Sequence, residues 1–302
     1  MDLLTRLLYM LGLLGVGVAA RALGVLDDRR TNWLNRFAFY VALPALIFVS
    51  TYAEPLGEIL SPTLVVGLWI VVLVTASLSW IVHRRRRTPA TRGVAVVQSY
   101  HSNFGYLGLP LVAATLGSAA AAKASLILGV GALTQVPLTV LILLRVTDTD
   151  ASVLDELRGV VTNPVLVALS IGLLFSWQGA TVPAAAATGL GYLSDLALPV
   201  ALLCVGASLE LTLPERDYGT IGSVVALKVF FMPLLAWATF TALGAPTLTL
   251  QAGVLMFGAP TAVSTYIYAS ELGGNRRIAS VNIFVTTVVS IVTLFGALQF
   301  LL

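Results

Sequence analysis

Charge is what this sequence has least of. Of its 302 residues only 10% are Asp, Glu, Lys or Arg, while 58% are hydrophobic. Soluble domains carry roughly 25% charged residues, so a globule in water could not hide this much apolar surface and lipid is the expected solvent. A single cysteine, Cys204, excludes an intramolecular disulfide and a cysteine-based metal cluster. In its apolar stretch it reads as a small packing residue. Two histidines leave little for a metal site. Paired intramembrane aspartates, His-Glu-x-x-His, a nucleophile elbow and a phosphate-binding loop are all missing, so neither an enzyme nor a cofactor is expected. The arginine run at 84–87 is short and juxtamembrane. It reads as a stop-transfer anchor joined by His83, with a lipid-headgroup site as the alternative, and not as a nucleic-acid patch.

What the chain does have is ten apolar stretches, at about 3–23, 34–52, 64–82, 94–116, 124–144, 164–177, 184–209, 221–243, 248–272 and 278–301. About twenty apolar residues span a bilayer core, so the fold class expected is an all-α integral membrane protein of ten transmembrane helices. The first stretch could pass for a signal peptide. Asp2 and a lone Arg6 make a poor basic leader, however, and Gly12, Gly15 and Gly17 suit a retained, close-packed span. With the loops after spans 1, 3, 5, 7 and 9 on one side, that side holds fourteen arginines and the other only Arg6 and Lys123. The positive-inside rule then places both termini outside the plasma membrane.

The longest polar loop divides the chain into a first five-helix repeat (1–146), a connecting loop (147–159) and a second repeat (160–302). The halves share Leu-Pro motifs at Pro44 and Pro199, and similar turns at Gly117 and Gly273, near an offset of 155 residues. Because five is odd, the second repeat is inverted, the arrangement that alternating access needs.

Spans 4 and 9 are interrupted. Span 4 reads Gln98-Ser-Tyr-His101-Ser102-Asn103-Phe-Gly105-Tyr-Leu-Gly108-Leu-Pro110, and span 9 reads Gly258-Ala-Pro260-Thr261-Ala-Val-Ser264-Thr265. Proline removes a backbone donor and clashes one turn back; glycine tolerates an unwound backbone. Freed backbone groups are costly in lipid, so these breaks must face protein or water. A carrier site at membrane depth is one reading, with Asn103 offering an amide and Thr261, Ser264 and Thr265 standing at a half-helix N-terminus that attracts anions. Kinked helices whose polar residues satisfy neighbouring backbone are the other. His101 is a proton-coupling residue or a satisfied structural histidine. Lys228 snorkels toward the interface or adds positive charge to an anion path. Gln135, Asn282 and Thr134 are cavity-lining candidates, Glu271 is expected in solvent, and Asp195 is interfacial or a proton carrier.

Taken in order, Phe39-Tyr-Val-Ala-Leu-Pro44-Ala-Leu-Ile-Phe48, Ser102 to Pro110, Asn163-Pro164, Leu198-Pro199 with Gly206, the stretch from Lys228 to Pro233 and that from Pro260 to Tyr266 resemble the auxin efflux carrier family over essentially the whole chain. The resemblance implies a fold shared with bile-acid sodium symporters. Spans 1, 2, 6 and 7 would form a scaffold and homodimer interface; spans 3–5 and 8–10 would form a mobile domain in which spans 4 and 9 cross. It also implies elevator-type movement of small organic anions, with substrate contacts at Ser102, Asn103, Gly105, Pro110, Pro260, Thr261, Ser264 and Thr265. Asn103 matches the family's substrate-contacting asparagine. Ser264 stands where the family often has a second asparagine, a departure that bears on which anion is carried. The alternatives are a sodium- or proton-coupled symporter of bile-acid type and a membrane sensor that binds a metabolite without moving it.

Overall fold

The computed structural model describes residues 3–86, 88–147, 162–208 and 217–301. Most of the predicted connecting loop, and Arg87, Arg158 and Arg216 of the arginine tally, lie outside the described residues.

The apolar stretches become helices whose ends follow local chemistry. They are α1 (Leu3–Ala22), α2 (Asp28–Phe37), α3 (Leu43–Tyr52), α4 (Leu56–Ile59), α5 (Pro62–His83), α6 (Pro89–Gln98), α7 (Leu109–Leu116) and α8 (Ser118–Thr147). After the undescribed loop come α9 (Pro164–Gln178), α10 (Ala184–Asp195), α11 (Ala197–Ala207), α12 (Tyr218–Val225), α13 (Met232–Ala242), α14 (Thr247–Gly258), α15 (Ser264–Glu271) and α16 (Arg276–Leu301). Asp27, Thr88, Asn163 and Asp217 cap α2, α6, α9 and α12 by accepting from backbone N–H groups, which satisfies donors a helix start leaves open. Proline opens α5, α6 and α9, where its missing donor does no harm. Gly179 ends α9 with φ +60°, a left-handed conformation that glycine adopts without strain. Six helical stretches are long and apolar enough to cross a membrane: 28–52, 56–83, 118–147, 184–207, 218–242 and 276–301. Four shorter apolar helices accompany them, at Leu8–Ala22, Phe104–Leu116, Pro164–Gln178 and Thr247–Gly258.

Three wide π-helical turns, Ala38–Ala42, Phe104–Gly108 and Ala226–Phe231, interrupt the helical runs. Each is followed two residues later by a proline: Pro44, Pro110 and Pro233. A proline ring collides with the carbonyl four residues back and offers no N–H to it. Widening the turn that holds this carbonyl removes the clash without ending the helix. The prolines were evident in the sequence; the local response to them was not.

The chain divides into two compact units, one of residues 1–61, 105–129 and 162–209, the other of 62–104, 130–161 and 210–302. In the first, α1 and α11 meet through Gly17 and Gly206. A Cβ on Gly17 would lie 2.5 Å from the Leu203 carbonyl oxygen, and one on Gly206 2.3 Å from that of Leu14. Only glycine permits this backbone approach. Gly12 and Gly15 have nothing within 4 Å of such a Cβ, so of the three glycines expected to offer a contact face, one is used inside the unit. Cys204 is buried beside this contact. In the second unit the fully buried Phe240 ring fits between Gly67 and Gly253 and approaches Phe257 at 6.5 Å between ring centres.

Candidate functional site

The second unit contains both breaks. Helix α6 ends at Gln98, and residues 99–103 are not helical before the π turn begins at Phe104. Helix α14 ends at Gly258, and α15 does not start until Ser264. The two non-helical pieces pair with each other. Ser102 and Thr261 form an isolated antiparallel bridge; the Asn103 N–H donates to the Pro260 carbonyl at 2.8 Å, and the Ala262 N–H donates to the His101 carbonyl at 3.0 Å. Backbone groups set free by each break are thus satisfied by the other, the condition for non-helical backbone at membrane depth.

Side chains lock this crossover. Gln98, fully buried, donates through Nε2 to Thr265 Oγ1 and to the Ala279 carbonyl, each at 3.0 Å, and accepts from Asn282 Nδ2 at 2.8 Å. Its own carbonyl accepts from Thr261 Oγ1 at 2.5 Å. The Ser102 N–H donates to Gln135 Oε1 at 2.7 Å. His101 Nδ1 lies 2.8 Å from Thr139 Oγ1, which also bonds the Tyr100 hydroxyl at 3.0 Å. The Thr261 N–H donates to Thr286 Oγ1.

Lys228 is fully buried, and its Nζ donates to the Phe257 carbonyl at 2.8 Å. That carbonyl belongs to the last turn of α14, the negative end of the helix dipole. No Asp or Glu is buried among the described residues. The lysine charge is therefore met by backbone dipoles and not by a carboxylate. Gln135 Nε2 is a buried donor without a partner among the described residues, on the same amide that holds Ser102. The arrangement is a buried, braced crossover that carries a lysine and a spare amide donor.

A family model described as membrane transport protein matches this chain over residues 4–153 and 152–297. The chain belongs to the membrane transport protein family. This is the family to which the residues of spans 2, 4 and 6–9 pointed. The chain is also similar to an "Uncharacterized transporter" of Methanothermobacter thermautotrophicus, with 28% identity covering 95% of this chain and 94% of the relative. A "Putative malonate transporter" of Rhizobium meliloti is 26% identical over 95% of this chain and 92% of its own length. The family and these relatives mark a membrane transporter, not an enzyme.

In this membrane transport protein the residues expected at the site do not all gather in one place. Ser102, Asn103, Pro260, Thr261 and Thr265 are buried at the crossover, with His101, Gln135, Lys228 and Asn282 in the same unit and also buried. Ser264 is half-buried as the first residue of α15. Gly105 and Pro110 belong to the other unit. There Pro110 lines a cavity of about 280 Å³ with Ser50, Ser194, Asp195 and Pro199. Thr261 and Thr265 use their hydroxyl protons on the carbonyls of Gln98 and Ala262.

Several expectations need correction. Lys228 does not snorkel, because its Nζ is held inward by the Phe257 carbonyl. His83 joins the arginine run through Arg86, whose Nε donates to its Nδ1, but it does so as a fully buried side chain, 3.3 Å from Ser99 Oγ. Thr134 lines nothing at the crossover, since its hydroxyl bonds the Val130 carbonyl and accepts from the Trp69 indole. Glu271 is exposed, as expected, and Asp195 is exposed too. The residues not anticipated are Gln98, Thr139 and Thr286. Thr139 is a lone polar residue in an apolar run, the available signal; Gln98 opens the polar run that ends at Asn103, and Thr286 is followed by Thr287.

Proposed function

We propose that this membrane transport protein is a carrier for a small organic anion of the carboxylate class, as the name of the Rhizobium meliloti relative suggests for that protein. The observation that carries this reading is Lys228, a fully buried cation with no buried carboxylate to neutralise it among the described residues. A buried charge met by neutral dipoles alone is expensive, and an anionic ligand would relieve it. Ser102, Asn103, Pro260, Thr261, Ser264 and Thr265 would form the walls of the site, with the spare Gln135 donor as a ligand contact. The lack of buried carboxylates among the described residues argues against a sodium site of bile-acid-symporter type.

Elevator-type alternating access belongs to the same proposal, with the unit that carries the crossover as the moving part. In its support, all four buried side-chain amides, Gln98, Asn103, Gln135 and Asn282, lie in that unit. The two family-model segments, together with the Leu-Pro motifs at Pro44 and Pro199, support two inverted five-helix repeats. The arginine asymmetry supports a plasma-membrane orientation with both termini outside. The open faces of Gly12 and Gly15 support a homodimer formed through the other unit.

Uptake of labelled malonate, malate and indole-acetate into proteoliposomes, with and without a pH gradient, tests the carrier. Saturable uptake that shows counterflow and is lost in Asn103→Ala is the expected result. Stoichiometric binding of these anions without flux, by correctly inserted protein, would establish a sensor instead. Absence of both would remove this substrate class.

A further inference from the structure

Helix α2 and the π turn after it, in the unit that does not carry the crossover, present a second surface. Arg29, Asn32, Trp33, Arg36, Phe37, Tyr40 and Val41 line an open groove of about 750 Å³. These positions recur every three to four residues and so share one face of the helix. The opposite face is committed to the unit's interior: Thr31, Ala38 and Ala42 are buried, and the Asn35 carbonyl accepts from the Tyr106 hydroxyl at 3.4 Å. On the groove face Trp33 is 65% exposed and Tyr40 59%. Trp33 stacks on Phe37 at 5.9 Å between ring centres.

The arginines of this region divide into two kinds. Arg21 is tied to Asp28 at 2.5 Å and to the Leu26 carbonyl, and Arg30 to the Val25 carbonyl at 2.7 Å. Arg29 and Arg36 are exposed, and neither has a hydrogen-bonding or ionic partner among the described residues. The stretch 28–52 has 25 residues, about 37 Å at 1.5 Å per residue, against a hydrocarbon core of about 30 Å. If Tyr52 marks one edge of that core, the other falls near Trp33. Arg29 then stands among headgroups and Arg36 about one turn inside the apolar boundary. A guanidinium there must reach outward for a counter-charge, and a phosphodiester is the one the membrane itself supplies. Guanidinium groups bind phosphate through paired hydrogen bonds, and tryptophan and tyrosine favour the interface beside them.

We propose that this face is a binding site for an anionic phospholipid, its headgroup phosphate held by Arg29 and Arg36 and its acyl chain laid along Trp33, Phe37 and Tyr40. The site does not depend on which solute the crossover carries.

The test is native mass spectrometry of the purified full chain titrated with phosphatidylglycerol or phosphatidylcholine. Wild type retains phosphatidylglycerol in preference to phosphatidylcholine. R29Q/R36Q weakens phosphatidylglycerol binding about thirtyfold, each interfacial arginine contributing roughly a fivefold preference, while the exposed pair variant R276Q/R277Q leaves it unchanged. Equal retention of the two lipids, undiminished retention by R29Q/R36Q, or equal loss in R276Q/R277Q would overturn the proposal. Full displacement of the lipid by inorganic phosphate would assign the arginines to a free anion. A C204S/W33C chain that forms a disulfide-linked dimer in phosphatidylglycerol vesicles would show a second copy covering the face, and would overturn it as well.

Discussion

In the unit of residues 1–61, 105–129 and 162–209, helices meet through absent side chains: Gly17 on Gly206, and Gly172 against Thr51. In the unit of residues 62–104, 130–161 and 210–302, they meet through polar side chains that reach across the chain, as Gln98 does to Thr265, Ala279 and Asn282. Both histidines, all four buried side-chain amides and Lys228 are in this second unit. In a bilayer neither solution is driven by the hydrophobic effect between helices; close packing and interhelical hydrogen bonds replace it. The glycine contact is dry and tolerates no added atom. The polar network holds its shape by direction and keeps groups with spare valence, such as Gln135 Nε2, in the interior. The first suits a rigid frame, the second a surface that must recognise a solute.

That contrast can be broken at graded points. Gly206→Leu forces a side chain onto the Leu14 carbonyl and is expected to destabilise the protein by about 3 kcal/mol, read as a lowered melting temperature in detergent; an unchanged melt would mean α1 and α11 are not in dry contact. Gln98→Leu removes three side-chain bonds. At roughly 0.6 kcal/mol each within a membrane, the loss is about 2 kcal/mol, together with loss of anion flux. A variant that melts lower yet transports normally would make the network purely structural. Lys228→Met keeps the bulk and removes the charge. Leaving the Phe257 carbonyl unpaired opposes the relief of an uncompensated cation, so stability should stay within about 1 kcal/mol of wild type while anion binding falls at least about tenfold. Retained binding would remove Lys228 from the site. Ser102→Ala loses only a weak contact from its hydroxyl to Met232 Sδ at 3.7 Å and should cost under about 0.5 kcal/mol. A larger loss of flux than of stability would place this hydroxyl on the solute.

Much of the architecture was legible before any coordinates. Apolar length located most of the helices, because a bilayer core demands it, although α2, α6 and α8 start at Asp28, Pro89 and Ser118, ahead of the stretches read from 34, 94 and 124. Asn163 before Pro164 marked a helix start, and a capping bond from Asn163 is found there; the start at Pro89, capped by Thr88, lies ahead of the apolar stretch read from 94. Glycine and proline marked the break after Gly258; in the other, the non-helical residues 99–103 contain neither, and Gly105, Gly108 and Pro110 lie in the π turn and in α7 that follow. The crossover chemistry was legible only in part. Gln98 and Thr139 look like tolerated polar residues when read one at a time, and Lys228 sits near enough to a helix end to be mistaken for a snorkelling side chain. Their roles depend on partners that lie far away along the chain.

The sequence alone determined that this is a membrane protein of apolar helices, which stretches form them, and where proline disturbs their regular turns, since each follows from local covalent geometry and from the free energy of placing a residue in lipid. Tertiary structure alone decided that the two interruptions pair with each other, that Lys228 turns inward to a helix end, and that Gly17 and not its neighbours is the point of contact. A hydrogen bond or a steric contact is a property of two groups brought within a few ångströms, and neither group's position in the chain specifies the other.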